Sequence, residues 1–165
     1  MAIKKLHVAS GDAAKLEDIL CFAIYSANLA VNRVYKPLLD ELGLTYPQYL
    51  VLVALYEQDN QTVGNLGDKL FLDSSTLTPL LKRMEGTGYL TRQRDPEDER
   101  QVRIRLTRRG RTAREKSMPY LDGLVRASGL DATRYRQLHD EVANLRKNLL
   151  NAARMPLKGL FGPAE

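Results

Sequence analysis

The sequence predicts a mainly helical protein with one small β-hairpin. In six segments, apolar residues recur every three or four positions, which is the spacing of one face of an α-helix. Between the fourth and fifth of these segments, two short runs alternate apolar and polar residues instead, which is typical of β-strands. The chain has 165 residues, and this length fits one domain that can bury a core without disulfides.

The first predicted helix runs from about residue 13 to residue 42 and follows a flexible arm, residues 1–12. Ser10 or Asp12 is its candidate N-cap. Pro37 should bend or break this helix near its C-terminal end, because proline lacks the backbone N–H that a helix interior uses.

A second helix begins after Thr45, a candidate N-cap that precedes Pro47 at an early helical position. Two shorter helices follow, the first starting at Thr62 and the second capped by Asp73 or Ser74. Only three or four residues join these two helices, which is the spacing of a helix-turn-helix.

The predicted hairpin follows the helix-turn-helix directly. Its strands are LTRQR and VRIRLT, and the polar segment DPEDERQ forms its tip. A helix-turn-helix followed by such a hairpin is a winged helix, here residues 46–106. Two further helices, at about residues 107–129 and 131–154, and a loose tail at residues 155–165 complete the chain.

Composition excludes several classes of protein. The single cysteine, Cys21, cannot form an intrachain disulfide, so the chain is not a disulfide-stapled secreted scaffold. No apolar run approaches the ~20 residues that span a membrane, and the N-terminal residues lack the apolar stretch of a signal peptide. We therefore expect a cytoplasmic protein that does not associate with membranes.

Basic residues concentrate around the predicted hairpin. The chain carries 25 Lys and Arg against 20 Asp and Glu, a net charge of +5. Residues 82–116 contain twelve basic and six acidic residues, so this segment accounts for the whole excess. Such a concentration suits a surface that binds DNA phosphates, although a solvated charged face has the same composition.

The second helix of the helix-turn-helix is the candidate recognition helix. Its N-terminal hydroxyl side chains either approach the major groove or act as helix caps, and basic residues one to two turns later suit the phosphate backbone. At the hairpin tip, Asp98 either orients Arg100 into the minor groove or forms a solvated local ion pair with it. The predicted DNA-binding residues are Ser74, Ser75, Thr76, Thr78, Pro79, Lys82, Arg83, Arg92, Arg94, Asp98, Arg100 and Arg103.

Several segments carry a family resemblance. The winged-helix stretch LDSSTLTPLLKRMEGTGYLTRQRDPEDERQVRIRLTRRGR, with Asp98-Glu99-Arg100 followed by Leu106-Thr107, resembles the MarR family of bacterial transcription regulators. LDSSTLTPLLKRME, LTYPQYLVL and CFAIYSA are similar to its organic-hydroperoxide-sensing OhrR-type branch, in the single-cysteine subtype. The resemblance implies a six-helix homodimeric repressor that binds a pseudo-palindromic double-stranded operator. Residues 13–45 and 107–154 would then form its dimerisation region.

Cys21 shares a helix face with phenols and amides. On a helical wheel, the residues within about 40° of one line are Cys21, Tyr25, Asn28, Asn32 and Tyr35. Tyr35 is fourteen residues from Cys21, roughly 21 Å along the helix. Tyr35 can therefore serve Cys21 only from a second chain, in an antiparallel two-fold dimer. The family resemblance implies this arrangement, in which Tyr35 and Tyr46 of one subunit bond the cysteine of the other.

We therefore expect Cys21, Tyr25, Tyr35 and Tyr46 to form a redox sensor. Tyrosine hydroxyls can donate to a thiolate, which peroxide oxidises to a sulfenic acid. Without a second cysteine, that group would proceed to a mixed disulfide with a low-molecular-weight thiol, a sulfenamide or an over-oxidised acid. The helix N-terminus is not expected to help, because Cys21 lies well inside the predicted helix.

Two other functions are compatible with the sequence. A MarR-type regulator released by a small lipophilic or phenolic ligand would leave Cys21 as a packing residue. A thiol enzyme, such as a peroxidase or transferase, would need a partner base or a resolving thiol. His7 lies in the arm and His139 on the last helix, so neither suits that role. We therefore expect no enzymatic activity, no cofactor and no metal site.

Overall fold

The computed structural model describes residues 15–154, and within them it contains six α-helices and three β-strands. The elements are α1 (Leu20–Leu42), α2 (Tyr46–Glu57), β1 (Gln61–Thr62), α3 (Val63–Leu70), α4 (Ser74–Gly86), β2 (Leu90–Arg94), β3 (Val102–Leu106), α5 (Arg108–Ala127) and α6 (Ala132–Ala152). The chain divides into two compact units, Met1–Tyr120 and Leu121–Glu165. The predicted arm with its caps Ser10 and Asp12, and the predicted tail, lie outside the described residues.

The predicted winged helix is confirmed. Three residues join α3 to α4, and β2 pairs with β3 in an antiparallel register from Leu90↔Leu106 to Arg94↔Val102. The two-residue strand β1 was not predicted, because so short a segment shows no alternation. It pairs with β3 and makes a three-stranded sheet in the order β1-β3-β2.

Local hydrogen bonds stabilise the starts of α2, α3 and α6, which begin where the sequence predicts them. The backbone N–H of Thr45 donates to the Gln48 side chain at 2.8 Å at the start of α2. The hydroxyl of Thr62 accepts the Asn65 N–H at 3.1 Å at the start of α3. Asp131 accepts two backbone N–H groups at the start of α6. Each contact satisfies a donor that the first turn of a helix leaves without a backbone partner.

The first helix begins later than predicted and ends where predicted. It begins at Leu20, after a single 3-10 turn at Leu16–Asp18, and not near residue 13. The apolar spacing runs through the 3-10 turn and so does not mark where the α-helix starts. Pro37 does not break α1, which continues to Leu42. The helix then ends at Gly43, whose φ of 63° places it in the left-handed conformation of a helix terminator.

The core of the first unit lies between the helix-turn-helix, α2 and the sheet. Its most deeply buried apolar side chains are Val51, Leu52, Leu55, Leu66, Leu77, Leu81, Met84, Leu90 and Ile104. The apolar stripe of α4 is buried at Leu77, Leu81 and Met84, while Leu80 is half-buried. Burial of this stripe determines which side of α4 faces solvent.

The second unit is described from Leu121 to residue 154. Within this part of the chain α6 buries none of its residues. Exposed apolar side chains are Leu121, Leu138, Val142, Leu149 and Leu150. No helix within residues 15–154 is both long enough and apolar enough to span a membrane.

Gly110 allows α5 to pack on the corner between α4 and β2. A Cβ at Gly110 would lie 2.2 Å from the Tyr89 carbonyl oxygen. We expect Gly110→Ala to destabilise the protein by about 1–3 kcal/mol, because backbone must move to admit the methyl group. Urea unfolding of both proteins measures this difference. Gly86→Ala is the control, since a Cβ there meets nothing within 4 Å, and an equal loss in both variants would contradict the packing argument.

Candidate DNA-binding surface and redox centre

The N-terminal end of α4 presents its hydroxyl groups to solvent. The predicted contact residues that are exposed on this helix are Ser74, Ser75, Thr76, Pro79, Lys82 and Arg83, while Thr78 is half-buried. Asp73 takes the N-cap position, and among the described residues no side-chain hydrogen bond caps this end. The hydroxyls are therefore not used as caps.

A cleft of about 410 Å³ lies between the recognition helix, α3 and the hairpin. Ser74 and Thr78 line it from α4, Gly64 from α3, and Arg92 and Arg100 from the hairpin segment. The structure thus brings together four residues that the sequence predicts to bind DNA. Hydroxyl and guanidinium groups that converge in this way suit phosphate oxygens and base edges.

Arg92 is held against α4 by Glu85. The backbone N–H of Arg92 donates to Glu85 Oε1 at 3.1 Å, and its Nη1 lies 3.6 Å from Glu85 Oε2. The Nε of Arg92 is buried and has no hydrogen-bond partner among the described residues. This pair ties strand β2 to the recognition helix and leaves one guanidinium donor unused.

Asp98 organises the hairpin tip through the backbone. Its Oδ1 accepts the Arg100 N–H at 3.1 Å, and its Oδ2 accepts the side-chain amide of Gln101 at 3.1 Å. Gln101 also donates its N–H to the Asp98 carbonyl at 2.9 Å. The carboxylate therefore fixes the turn beneath Arg100, whose side chain is exposed.

Asp95 and Arg103 form an ion pair at the base of the same loop. Asp95 is 4% exposed, and its carboxylate accepts the N–H of Glu97 and the Nε–H of Arg103. The hydrogen bond from Glu97, followed by the contact with Arg103, holds the pKa of Asp95 below its ordinary value, although burial opposes this shift. Arg103, predicted to bind DNA, thus engages its guanidinium within the protein.

Cys21 is exposed and lies in the first turn of α1. The predicted position of Cys21, well inside the helix, was wrong, because α1 begins at Leu20 and not near residue 13. The first turn of a helix has backbone N–H groups without intrahelical acceptors and a partial positive charge, which stabilise a nearby anion.

Tyr35, Tyr46 and Tyr49 form one aromatic cluster. Ring centroids are 5.3 Å apart for Tyr35 and Tyr46, 5.5 Å for Tyr35 and Tyr49, and 6.3 Å for Tyr46 and Tyr49. Tyr35 is 2% exposed and Tyr49 is 1% exposed. Tyr49 was not predicted, although its position three residues after Tyr46 on α2 is the available signal.

Within one chain, this cluster lies far from Cys21. Cys21 and Tyr35 belong to the same unbroken helix, and their spacing in the chain corresponds to about 21 Å along its axis. Tyr25 remains near Cys21, with its ring 6.5 Å from that of Phe22 and 58% of its surface exposed. The structure therefore joins two of the four predicted sensor residues, Tyr35 and Tyr46, and leaves Cys21 apart from them.

Comparison with known proteins identifies the family. A family model described as "Transcriptional regulator SarA/Rot" matches residues 33–116. An "Organic hydroperoxide resistance transcriptional regulator" of Bacillus subtilis (strain 168) is 49% identical over 123 residues, which cover 73% of this chain and 84% of that protein. The "HTH-type transcriptional regulator TtmR" of Methylorubrum extorquens (strain PA1) is 46% identical over 140 residues, 84% of this chain and 71% of the relative.

Solved structures agree with these sequence matches. Reduced AbfR bound to DNA superposes with a TM-score of 0.68 at 35% identity, covering 82% of this chain and 94% of AbfR. Overoxidised AbfR bound to DNA superposes with a TM-score of 0.66 at 37% identity, covering 81% and 94%. The chain belongs to the MarR family of winged-helix transcription regulators.

Membership of the MarR family assigns DNA binding to the winged helix. The relatives are transcription regulators and not enzymes. The family model matches residues 33–116 and so covers α2 to β3 and the cluster formed by Tyr35, Tyr46 and Tyr49. Cys21 precedes the matched segment, so the family-model match in this MarR-family protein does not include the cysteine.

Because of Asp95, the stability of this MarR-family protein should depend on pH in the acidic range. Its pKa is lowered in the folded state, so its contribution is present above the unfolded pKa of about 3.9 and is lost as the pH falls towards the folded value. We expect Asp95→Asn to lower the free energy of unfolding at pH 7. The difference in this free energy between the variant and wild type should become smaller below about pH 4. Urea unfolding from pH 3 to pH 7 measures this difference.

Asp40→Asn is the control for this titration, because Asp40 forms an exposed surface pair with Lys36 and such pairs contribute little to stability. A gap between Asp95→Asn and wild type that stays constant from pH 7 to pH 3 would show that the charge of Asp95 does not stabilise the hairpin.

Proposed function

We propose that this protein is a homodimeric repressor that senses organic hydroperoxides through Cys21 and then releases its operator. The division of the sensor along α1 carries the proposal. Cys21 is exposed at the N-terminal end of the helix, and the Tyr35–Tyr46 ring pair lies near its C-terminal end. A complete sensor then needs a cysteine from one chain and tyrosines from another.

Exposed apolar surface supports a dimer. Around Cys21, Leu16 is 60% exposed, Leu20 is 59% exposed and Ile24 is 41% exposed. In the second unit, the apolar side chains of α6 are exposed as well. Contiguous apolar surface of this kind marks an interaction site. A two-fold axis that sets two α1 helices antiparallel would cover the first surface and bring each Cys21 towards the tyrosine cluster of the other chain.

The chemistry begins with attack of the Cys21 thiolate on the terminal oxygen of a hydroperoxide. The S–O bond forms, the O–O bond breaks, and the alkoxide takes a proton and leaves as an alcohol, so that sulfur is oxidised by two electrons. The first turn of α1 and tyrosine hydroxyl groups supply positive charge and donors to the sulfur. Leu20 and Ile24 give the site apolar surroundings that suit an organic peroxide.

The next step adds bulk at the dimer interface. A low-molecular-weight thiol attacks the sulfenic acid, a disulfide forms between the two sulfur atoms, and water leaves. AbfR has been solved on DNA in both its reduced and its overoxidised forms. By analogy, we expect added oxygen atoms alone to release DNA less effectively than a bulky mixed disulfide, which would separate the two α1 helices.

Operator binding is assigned to the two surfaces around the cleft. The N-terminal turn of α4 enters the major groove, and Arg100 enters the minor groove. The exposed hydroxyl groups of α4 and the exposed side chain of Arg100 above the Asp98 turn support this assignment. A two-fold dimer then reads a pseudo-palindromic site.

The redox proposal is tested by operator binding with and without peroxide. Fluorescence anisotropy with the gene's own upstream DNA compares wild type with Cys21→Ser, with one equivalent of cumene hydroperoxide and excess small thiol. We expect wild type to lose affinity at least about tenfold, a change of roughly 1.4 kcal/mol, and Cys21→Ser to keep its affinity. Hydrogen peroxide should act more slowly, because it gains nothing from apolar contacts.

Tyr35→Phe is the matched variant, because it keeps the ring contact and removes only the hydroxyl. It should bind DNA normally when reduced and respond more slowly to peroxide. If wild type and Cys21→Ser both bind DNA and neither responds to peroxide, Cys21 is a packing residue. A regulator released by a small lipophilic or phenolic ligand then becomes the function to test.

The operator contacts are tested separately from redox control. Arg100→Ala should weaken binding about tenfold, since loss of a groove contact costs about 1–3 kcal/mol. Lys82→Ala should reduce the dependence of log affinity on log salt by about two, as expected when each subunit of the dimer loses one phosphate contact. Lys36→Ala is the control for loss of a surface charge on α1, and an equal effect of all three variants would contradict the assignment.

A further inference from the structure

A two-residue turn between α2 and β1 contacts the hairpin at several points. It consists of Asp59 and Asn60, and we call it the Asp59–Asn60 turn. Asn60 has a φ of 59°, a left-handed conformation that asparagine tolerates better than most residues. The Asp59 carboxylate accepts the Asn60 N–H at 2.9 Å, which stabilises this bend.

Asn60 binds two arginines of β3. Its carbonyl oxygen accepts the Nη1–H of Arg103 at 3.2 Å, and its side-chain Oδ1 accepts the Nε–H of Arg105 at 2.9 Å. Arg103 and Arg105 are alternate residues of one strand and so leave it on the same face. Asn60 therefore holds the inner strand of the hairpin at two positions.

Asp59 extends this contact to the end of the strand. Its Oδ1 accepts the N–H of Leu106 at 2.9 Å, and its Oδ2 pairs with the guanidinium of Arg111 on α5. The turn thus joins α2, the last residue of β3 and the first turns of α5. Pairing of β2 with β3 joins the two strands of the hairpin, and pairing of β1 with β3 attaches the hairpin to the segment between α2 and α3. The contacts of Asp59 and Asn60 add side-chain bonds to this attachment.

We infer that the Asp59–Asn60 turn is a positioning element that sets where the hairpin tip, and with it Arg100, meets the DNA. The inference rests on the proposed minor-groove role of Arg100. Arg103, which Asn60 binds, also forms the ion pair with Asp95 at the base of the tip loop. Asn60 therefore holds β3 at two points, through Arg105 and through Arg103, and Asp95 at the base of the loop that carries Arg100 binds the second of them.

Asn60→Gly is the primary variant. Glycine adopts a positive φ without strain and keeps the carbonyl that Arg103 uses, so only the acceptor for Arg105 is lost. We expect operator affinity to fall about fivefold, less than the full contribution of a hydrogen bond to a charged group, because Asn60 still holds the hairpin through Arg103. Asn60→Asp keeps a side-chain acceptor at the same position and should bind within about twofold of wild type.

A double-mutant cycle with Arg100→Ala separates positioning from general loss of stability. If the turn acts through Arg100, Asn60→Gly should cause almost no further loss in the Arg100→Ala background. In the Thr78→Ala background, which alters the recognition helix, it should still cost about fivefold. Fluorescence anisotropy measures affinity, and thermal unfolding shows whether each variant is folded at the temperature used.

Three results would overturn the inference. The first is that Asn60→Gly binds the operator with wild-type affinity. The second is that Asn60→Gly lowers operator affinity fivefold both in the wild-type and in the Arg100→Ala background. The third is that Asn60→Gly lowers operator affinity although Arg100→Ala alone binds as tightly as wild type. The last result would also refute the proposed minor-groove contact, which Arg100→Ala tests alone. If Asn60→Gly does not fold, Arg105→Gln, an exposed change, removes the donor of the same bond and enters the same cycle with the same expectations.

Discussion

The length of α1 is the constraint on which the proposed sensor depends. The helix is unbroken from Leu20 to Leu42, and an α-helix rises a constant ~1.5 Å per residue. Cys21 and Tyr35 therefore cannot meet within one chain, whatever the side-chain conformations. The N-terminal end of the same helix is apolar and exposed around Cys21. One element thus separates the two halves of the sensor and offers the surface that a second copy would cover.

The hairpin tip shows how an acidic loop can serve a DNA-binding protein. The Asp95 carboxylate accepts hydrogen bonds from the Glu97 N–H and the Arg103 guanidinium. The Asp98 carboxylate accepts hydrogen bonds from the Arg100 N–H and the Gln101 side-chain amide. These carboxylates therefore hold the backbone of the tip in shape. The guanidinium of Arg100 stays exposed above them, so the loop presents a cation despite its composition.

Local patterns predicted the elements that depend on neighbours in the chain. Helix α4, the hairpin strands, the cap at Thr45 and the helix starts near Thr62 and Asp131 follow from periodicity and residue types within a few positions. Features whose partners are distant were missed. The Asp59–Asn60 turn bonds residues 43 to 52 positions away, and no local pattern reports such a contact. The start of α1 was misplaced because apolar spacing near three fits a 3-10 turn as well as an α-helix.

The sequence by itself determined the class of the protein, the helix-turn-helix with the hydroxyl groups of α4, and the distance that excludes a Cys21–Tyr35 contact within a chain. These depend on helix geometry and on residue types close together in the chain. Only the tertiary structure decided which arginines are engaged internally and which are exposed, that Tyr49 joins Tyr35 and Tyr46, and that Cys21 lies in a first helical turn. The physical reason is that a side chain's partners are set by packing between segments far apart in the chain.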